Sequence, residues 1–501
     1  TPSALTPAQA QPALQPDDTT ESFVMRWNAW ADEANPDRSV INAVAEESDA
    51  INAFFEQYRK RYGYGRWVLD DLTQPGHWNH ASSIIFGMAP HTRRLRKILT
   101  ADHAALRFPS RAELVEEVRA EIDADEPTNR GPVNHAEMLY IGRIDESQQI
   151  RNAGIHLSTE ASFVIETSGD LTLIVENITG MLNAYRLLAE RPDPIDALMA
   201  VAAEDSALNL IRSTLVRHGV RSRDGALQRI QDALVEHEAR RVRPSQDRRL
   251  MDLAHTELLA AWFEPDRPER LTAQGGAWYE SRADMIEVWR SLGVQDLRLH
   301  PTILPSPDSE FAPAAEQIRV YRLLAEAFAR DAARTRHSII ELESERLFRT
   351  LVSSDPDGRL APALTLFYLH DTLFNSDFRA DLQFRAALTF LAVHRHRACT
   401  GQWPESLAAI DPEIMRFDPI DPHSGQPFGY AVIDDQPTLW SAGPDRDNDD
   451  GRSILRRPAL PEGELPQFQS RHWFTINEWN ALSPEVQAEH DGDIPLFPPE
   501  G

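Results

Sequence analysis

Residues 194–217 constrain the fold more than any other stretch of this 501-residue chain. Asp193 stands at a capping position, Pro194 fits the first turn, and Asp196 favours the positive helix end. Leu198, Met199, Val201, Leu208, Ile211 and Leu215 follow as an apolar face, and Gly219 stands where a helix stops. A second helical pattern, 224–240, returns with Leu227, Ile230 and Leu234 on one side, and 248–263 extends the bundle. Together the first two form a helical hairpin whose apolar faces must be buried against other elements.

The rest of the chain to about residue 400 reads the same way. Segment 40–61 follows Asp37 and Ser39, and 110–123 opens with the capping-box pair Ser110 and Glu113. Helices are predicted at 313–353, a stretch long enough to bend, and at 361–398, with Asp355-Pro356-Asp357-Gly358 as a turn between them. Region 264–310 is rich in Pro and Gly and reads as a long connection with one helix near 281–291. Segments 137–143 and 162–166 have β-character and leave room for a small hairpin. Residues 1–20 carry no large apolar residue beyond scattered Leu and read as a tether.

Charge narrows the partners. The formal net charge is −27, which disfavours nucleic acid and anionic lipid. No apolar run is long enough to span a bilayer. The chain opens on Thr1, so a removed leader or anchor is expected, and a membrane role only through that anchor. Cys399 is the single cysteine, so an internal disulfide and a Cys-based zinc site are excluded. It follows an apolar helical stretch and reads as a structural thiol rather than a nucleophile.

The grammar changes after Thr400. Gly401 stops a helix, and Trp403-Pro404-Glu405-Ser406-Leu407 begins a helical turn. Pro419, Asp421-Pro422 and Ser424-Gly425-Gln426-Pro427 mark turns. Phe428–Val432 and Thr438–Ser441 are β-type runs around a loop of about four residues. The Pro-rich tail beyond Gly451 carries Phe468, Trp473, Phe474, Ile476 and Trp479, and is expected to pack over the body.

From Arg385 to Gly451 this order of elements resembles the C-terminal part of type II secretion major pseudopilins. The residues that carry it are Thr400-Gly401-Gln402-Trp403-Pro404, Asp418-Pro419, Gly425-Gln426-Pro427-Phe428-Gly429-Tyr430 and Ser441-Ala442-Gly443-Pro444-Asp445. The resemblance implies calcium in the loop after the hairpin. It departs from the family in having a helical body where a pseudopilin has one long apolar helix. The whole arrangement is similar to a group of planctomycete-type envelope proteins of unassigned activity, with an N-terminal anchor and a tail like Asp491–Pro499.

The acidic loop Asp445-Arg446-Asp447-Asn448-Asp449-Asp450-Gly451 is the candidate metal site, with Asp445, Asp447, Asp449 and Asp450 as ligands. It is not an EF-hand, since Asp450 and Arg456 occupy the positions of the EF-hand glycine and closing glutamate. The bland alternative is a solvated acidic turn. His77 and His80 are three apart but follow Pro75 and Gly76, so a loop is expected. His394 and His396 do not share a helix face, and His337 with Glu341 reads as a surface hydrogen bond. Tyr368, His370 and Asp371 would need a pocket to act as acid and base. Arg93, Arg94, Arg96 and Lys97 read as a solvated face paired with surplus acid. Nucleophile-elbow, phosphate-loop and zincin motifs are absent from the sequence.

The expected fold is mainly α: a multi-helix body with a small C-terminal α+β module, a helix plus an antiparallel hairpin. The divisions are a tether at 1–20, a body at 21–380 with a sub-boundary at 264–310, the pseudopilin-like module at 381–452 and the tail at 453–501. The expected role is a non-catalytic, exported scaffold of the periplasm or cell envelope with a structural calcium ion and a protein partner. The alternatives are an extracytoplasmic hydrolase with a carboxylate pair in the body, and a subunit of a larger envelope complex.

Overall fold

The computed structural model describes residues 15, 17–34, 39–62, 78–99, 145–190, 194–218, 224–241, 249–280, 304–334, 342–433, 435–443 and 494–497. The fold is mainly helical, with two small antiparallel sheets among these residues. The helices are α1 (Thr20–Ala34), α2 (Ser39–Tyr62), α3 (Trp78–Leu99), α4 (Asp145–Thr167), α5 (Leu171–Glu190), α6 (Pro194–His218), α7 (Asp224–Arg240) and α8 (Arg249–Trp262). Strands β1 (Phe263–Glu264) and β2 (Arg267–Leu271) follow, then α9 (Ala314–Ala333), α10 (Glu343–Ser354) and α11 (Ala361–Thr400). The C-terminal sheet holds β3 (Gly429–Ile433), β4 (Gln436–Ser441) and β5 (Ile494–Phe497), in that spatial order. None of the described helices is long and apolar enough to cross a membrane.

Two apolar cores organise these elements. The first gathers α2 to α7, residues 382–393 of α11, and the C-terminal residues Leu407, Ile410, Ile414, Phe428, Leu439 and Leu496. The second gathers α8, β1, Tyr279, α9, α10 and residues 361–367 of α11. Helix α11 belongs to both, and its 40 residues give it the reach to do so, since at 1.5 Å per residue it is ~60 Å long. A smaller cluster packs Phe23, Val24, Trp27 and Ala31 of α1 on Leu250 of α8.

Local chemistry explains the helix ends. Ser22 and Thr19 cap α1 reciprocally: Ser22 N–H donates to Thr19 Oγ1 at 3.1 Å, and Thr19 N–H donates to Ser22 Oγ at 2.9 Å. Asp355 orders the turn that leads into α11 by accepting Arg359 N–H at 2.9 Å and Leu360 N–H at 2.6 Å. Gly401, at φ +81°, ends it in the left-handed conformation. Buried Gln317 of α9 joins the start of α11: its amide donates to Arg359 O at 2.7 Å and accepts from Ala363 N–H at 3.1 Å.

Four sequence expectations change. The predicted 313–353 helix is broken, because α9 ends at Ala333 and Arg334 is extended. Asp331, fully buried on α9, then caps α10 from a distance by accepting Glu343 N–H at 3.0 Å and Ser344 N–H at 2.8 Å. Segment 162–166 lies inside α4, not a hairpin, because Phe163, Val164 and Ile165 all bury against the first core in helical form. Part of the expected 264–310 connection is instead the β1–β2 hairpin and a helical stretch at 273–280. The C-terminal hairpin has a two-residue loop rather than four, with Ile433 paired to Gln436. Asp435 supplies the positive φ, 60°, that such a tight turn requires.

Pro437 is tolerated because of this register. The pair flanking a two-residue loop exchanges both hydrogen bonds, so the next pair, Val432 and Pro437, is a non-hydrogen-bonded one. The missing N–H of Pro437 would therefore have pointed away from β3.

Candidate functional site

The densest buried charge in the described residues lies where α5, α6, α7 and α11 meet. The helical hairpin α6–α7 sets Glu204 opposite His237, and Arg241 follows the last turn of α7. Glu204 is fully buried and His237 nearly so. His237 Nε2 lies 2.9 Å from Glu204 Oε1. Arg241 donates to Glu204 Oε2 at 2.8 Å and to Asp381 Oδ1 of α11 at 3.0 Å. Arg385 adds a 3.3 Å contact to the other Asp381 oxygen. The Arg241 guanidinium also sits 4.9 Å from the Phe384 ring centroid, and His237 meets Tyr185 edge-on at 4.5 Å.

The electrostatics follow from burial and pairing. Burial pushes the Glu204 carboxyl up, but the Arg241 charge and the His237 hydrogen bond outweigh it and hold it below its usual range. Burial disfavours the charge on Arg241, but Glu204 and Asp381 more than compensate and raise it. The Tyr185 hydroxyl is driven up by burial and by the Glu204 charge. Asp205 is pushed up to about 6 by burial and by the same charge, against the pull of Arg379 and Arg212.

This arrangement has a definite chemical reading. A glycosidase-type pair needs two carboxylates facing a substrate across open space. Glu204 and Asp381 instead face a single guanidinium that lies between them. The adjoining cleft, lined by Thr179, Asn183, Arg186, Glu236 and His237, has a cavity volume of about 40 Å³. That suits a few ordered waters rather than a polymer chain.

A second buried network ties α3 to α4 and α5. Arg96 pairs with Glu160 and donates to Asn177 Oδ1 at 2.9 Å. Thr92 donates to Glu160 Oε1 at 2.7 Å, and Asn177 donates to its other oxygen at 3.1 Å. Arg96 is thus a core residue, not part of a solvated face as the sequence implied, because this carboxylate awaits it at the helix interface. Arg93 and Lys97 are exposed. Arg94 is exposed as well and pairs with Glu47, which also contacts His91 Nδ1 at 2.6 Å.

The C-terminal module is organised by one buried carboxylate. Asp421 Oδ1 accepts His423 N–H at 3.0 Å and Ser441 Oγ–H at 2.8 Å. Its Oδ2 accepts Ser424 Oγ–H at 3.0 Å and Ala442 N–H at 3.0 Å. Asp421 therefore clasps the end of β4 to the 421–424 turn. Gly443, at φ 73°, turns the chain immediately after the clasp. Asp445, Asp447, Asp449 and Asp450 lie beyond it, outside the described residues.

The module is joined to the body by polar and aromatic contacts. Gln231 of α7 donates to Ile414 O at 2.8 Å, and Arg395 of α11 donates to Gln231 Oε1 at 2.5 Å. Trp403 packs between Arg397, 4.0 Å from its centroid, and the His394 ring at 5.0 Å. Its Nε1–H donates to Asp435 O at 3.1 Å.

The other sequence candidates divide clearly. His394 is buried against Phe390 and Trp403, while His396 is half-buried further along α11. Cys399 is exposed on the last turn of α11. His77, His337 and Glu341 lie outside the described residues. His80 is in the first turn of α3, and Tyr368, His370 and Asp371 are in α11, at positions where only the backbone is described. Among the described residues, no group of three or more His, Cys, Asp or Glu side chains is arranged to hold a metal.

Sequence reading missed Glu204, His237, Arg241 and Asp381. The signal was present as charge set at four-residue spacing: His237 with Arg241, and Asp377 with Asp381 and Arg385. The sequence matches no family model, no curated protein and no solved structure.

Proposed function

We propose that this chain is a non-catalytic scaffold of the cell envelope that binds another protein, with a calcium ion pinning the loop Asp445–Asp450. The observation that carries this reading is the fusion of the module with the helical body. Leu407, Ile414, Phe428 and Leu439 share one core with α2 to α7. A module that shares a core with the body presents a fixed surface, which suits recognition.

Two further features support it. The Asp421 clasp fixes Ser441 and Ala442, the residues that lead into the acidic loop. Closely spaced carboxylates repel one another, and a hard cation bound through six to eight oxygens relieves that repulsion. The four aspartates offer carboxylate oxygens of the right kind, and backbone carbonyls would complete the shell. Glu204 and Asp381 of the body are both engaged by Arg241, which favours this reading over a hydrolase that uses that pair.

Amide hydrogen exchange with and without calcium tests the proposal. Calcium should slow exchange across residues 440–452 and leave α6 and α7 unaffected. Equal exchange in both conditions would remove the calcium component.

A further inference from the structure

Among the described residues, the C-terminal sheet has an edge that lacks the usual protection. Strand order is β3–β4–β5, so β3 pairs with β4 on one side only. Among the described residues no segment pairs with its other side. Sheet edges are ordinarily blunted by a proline, a lysine, a bulge or a covering element. Strand β3, Gly429-Tyr430-Ala431-Val432-Ile433, contains no proline and no charge, and its register to β4 runs without a bulge. Val432 is 42% exposed and Ile433 47%, among the most exposed large apolar residues described.

The register identifies which backbone groups face outward. Ile433 pairs with Gln436 across the two-residue loop, so 433, 431 and 429 spend their N–H and C=O groups on β4. Tyr430 and Val432 then present theirs to the open side. Trp403 Nε1–H on Asp435 O and the Tyr430 hydroxyl on Pro404 O at 3.1 Å hold the strand in place. The edge is thus a fixed template of five residues, ~17 Å long.

We propose that the outer edge of β3 docks an extended segment of another protein, apolar along its length and basic at the end that meets Asp435. Outward N–H and C=O groups in strand register are recognised only by another extended backbone. Exposed Val432 and Ile433 ask for apolar neighbours across the new pair. Exposed Asp435 at the strand's end and the net charge of −27 select a basic partner over a second copy of this chain. An antiparallel partner places its N-terminal end beside Asp435. The proposal deepens the proposed function and rests on its reading of the chain as protein-binding.

The test is amide exchange on the full chain with a synthetic probe: two arginines followed by alternating valine and threonine, at about 1 mM, the weak end of specific binding. Free protein should exchange the Tyr430 and Val432 amides quickly, and the peptide should slow both while an all-D-glutamate control does not. Val432→Pro removes an outward N–H and leaves the β4 ladder intact, so it should weaken peptide binding about tenfold or more with unchanged unfolding. Slow exchange of these amides in the free monomer would overturn the proposal, as would no protection by the peptide. Protection that rises with protein concentration alone would assign the edge to a second copy and overturn it too. The wild-type exchange result stands whether or not the proline variant folds. Peptide failure beside intact calcium protection would sink the edge alone. Peptide protection without any calcium response would sink the calcium loop and keep the edge.

Discussion

Replacing Asp421 by Ala should release the C-terminal hairpin from its turn. The carboxylate accepts four hydrogen bonds, from His423 N–H, Ser424 Oγ–H, Ser441 Oγ–H and Ala442 N–H, at 2.8–3.0 Å. Asp421 is 1% exposed, so water cannot take over these donors without opening the structure. A hydrogen bond to a charged group contributes about 1.5–3 kcal/mol net, and the four are not additive because they share one anion. A total cost of about 3–5 kcal/mol follows, the range for removing one side of a buried charge cluster. Asp421→Asn separates charge from geometry. Its oxygen still accepts from two donors, and the Ser424 hydroxyl can rotate to accept from the new amide. The Ala442 N–H cannot rotate, so Asn should cost about 1–3 kcal/mol, less than Ala but not zero. Urea unfolding followed by tryptophan fluorescence reads both, since Trp440 lies on β4 beside the clasp. Exchange at the Ala442 and Gly443 amides localises the loss. Equal stability of wild type and Asp421→Ala, or an Asn variant worse than Ala, would refute the clasp argument.

Other outcomes follow from the buried charges. Arg241→Met leaves Glu204 buried without its main partner and should cost about 3–5 kcal/mol in denaturant unfolding. Adding Glu204→Gln should restore part of that, and no recovery would contradict the pairing. The folded Asp205 titrates near 6 against 3.8 for an ordinary Asp, so the native state holds extra protons in that window. Stability from this group therefore falls as pH rises from 3.8 to 6, and Asp205→Asn should be more stabilising at pH 7 than at pH 4. Buried His156 goes the other way: burial lowers it to about 4 from 6.5, so its unfolded form binds the extra proton and stability falls as pH drops through that range. Thermal scans of His156→Gln should show a flatter acid limb than wild type, and an unchanged limb would refute the assignment.

What the sequence disclosed tracks the distance over which each signal acts. The span of α7 agrees with 224–240 to the residue, and α6 ends one residue past the reading of 194–217. Helical periodicity and local caps suffice for such elements. The length of 313–353 hinted at a bend, but the position of the break after Ala333 was not legible, because the cap on α10 comes from Asp331, thirteen residues before the Ser344 it holds. Segment 162–166 misled because Phe163, Val164 and Ile165 favour strands locally, and core packing overrides that preference. Asp421 was visible only as half of a turn dipeptide. Its partners Ser441 and Ala442 are separated from it by the whole hairpin, which no local pattern encodes. The Glu204–His237–Arg241–Asp381 network likewise joins three helices across about 180 residues of chain.

The central claim is that a calcium-pinned loop, rooted by the Asp421 clasp, stabilises a rigid binding module. Thermal unfolding of the full chain in excess calcium against excess chelator tests it most directly. At a hundredfold excess over its dissociation constant the ion should add about 2.7 kcal/mol to the unit that binds it and raise the midpoint. Replacing Asp447 and Asp449 together by Ala should abolish the rise. Identical midpoints in calcium and chelator, or a rise that survives those replacements, would contradict the claim.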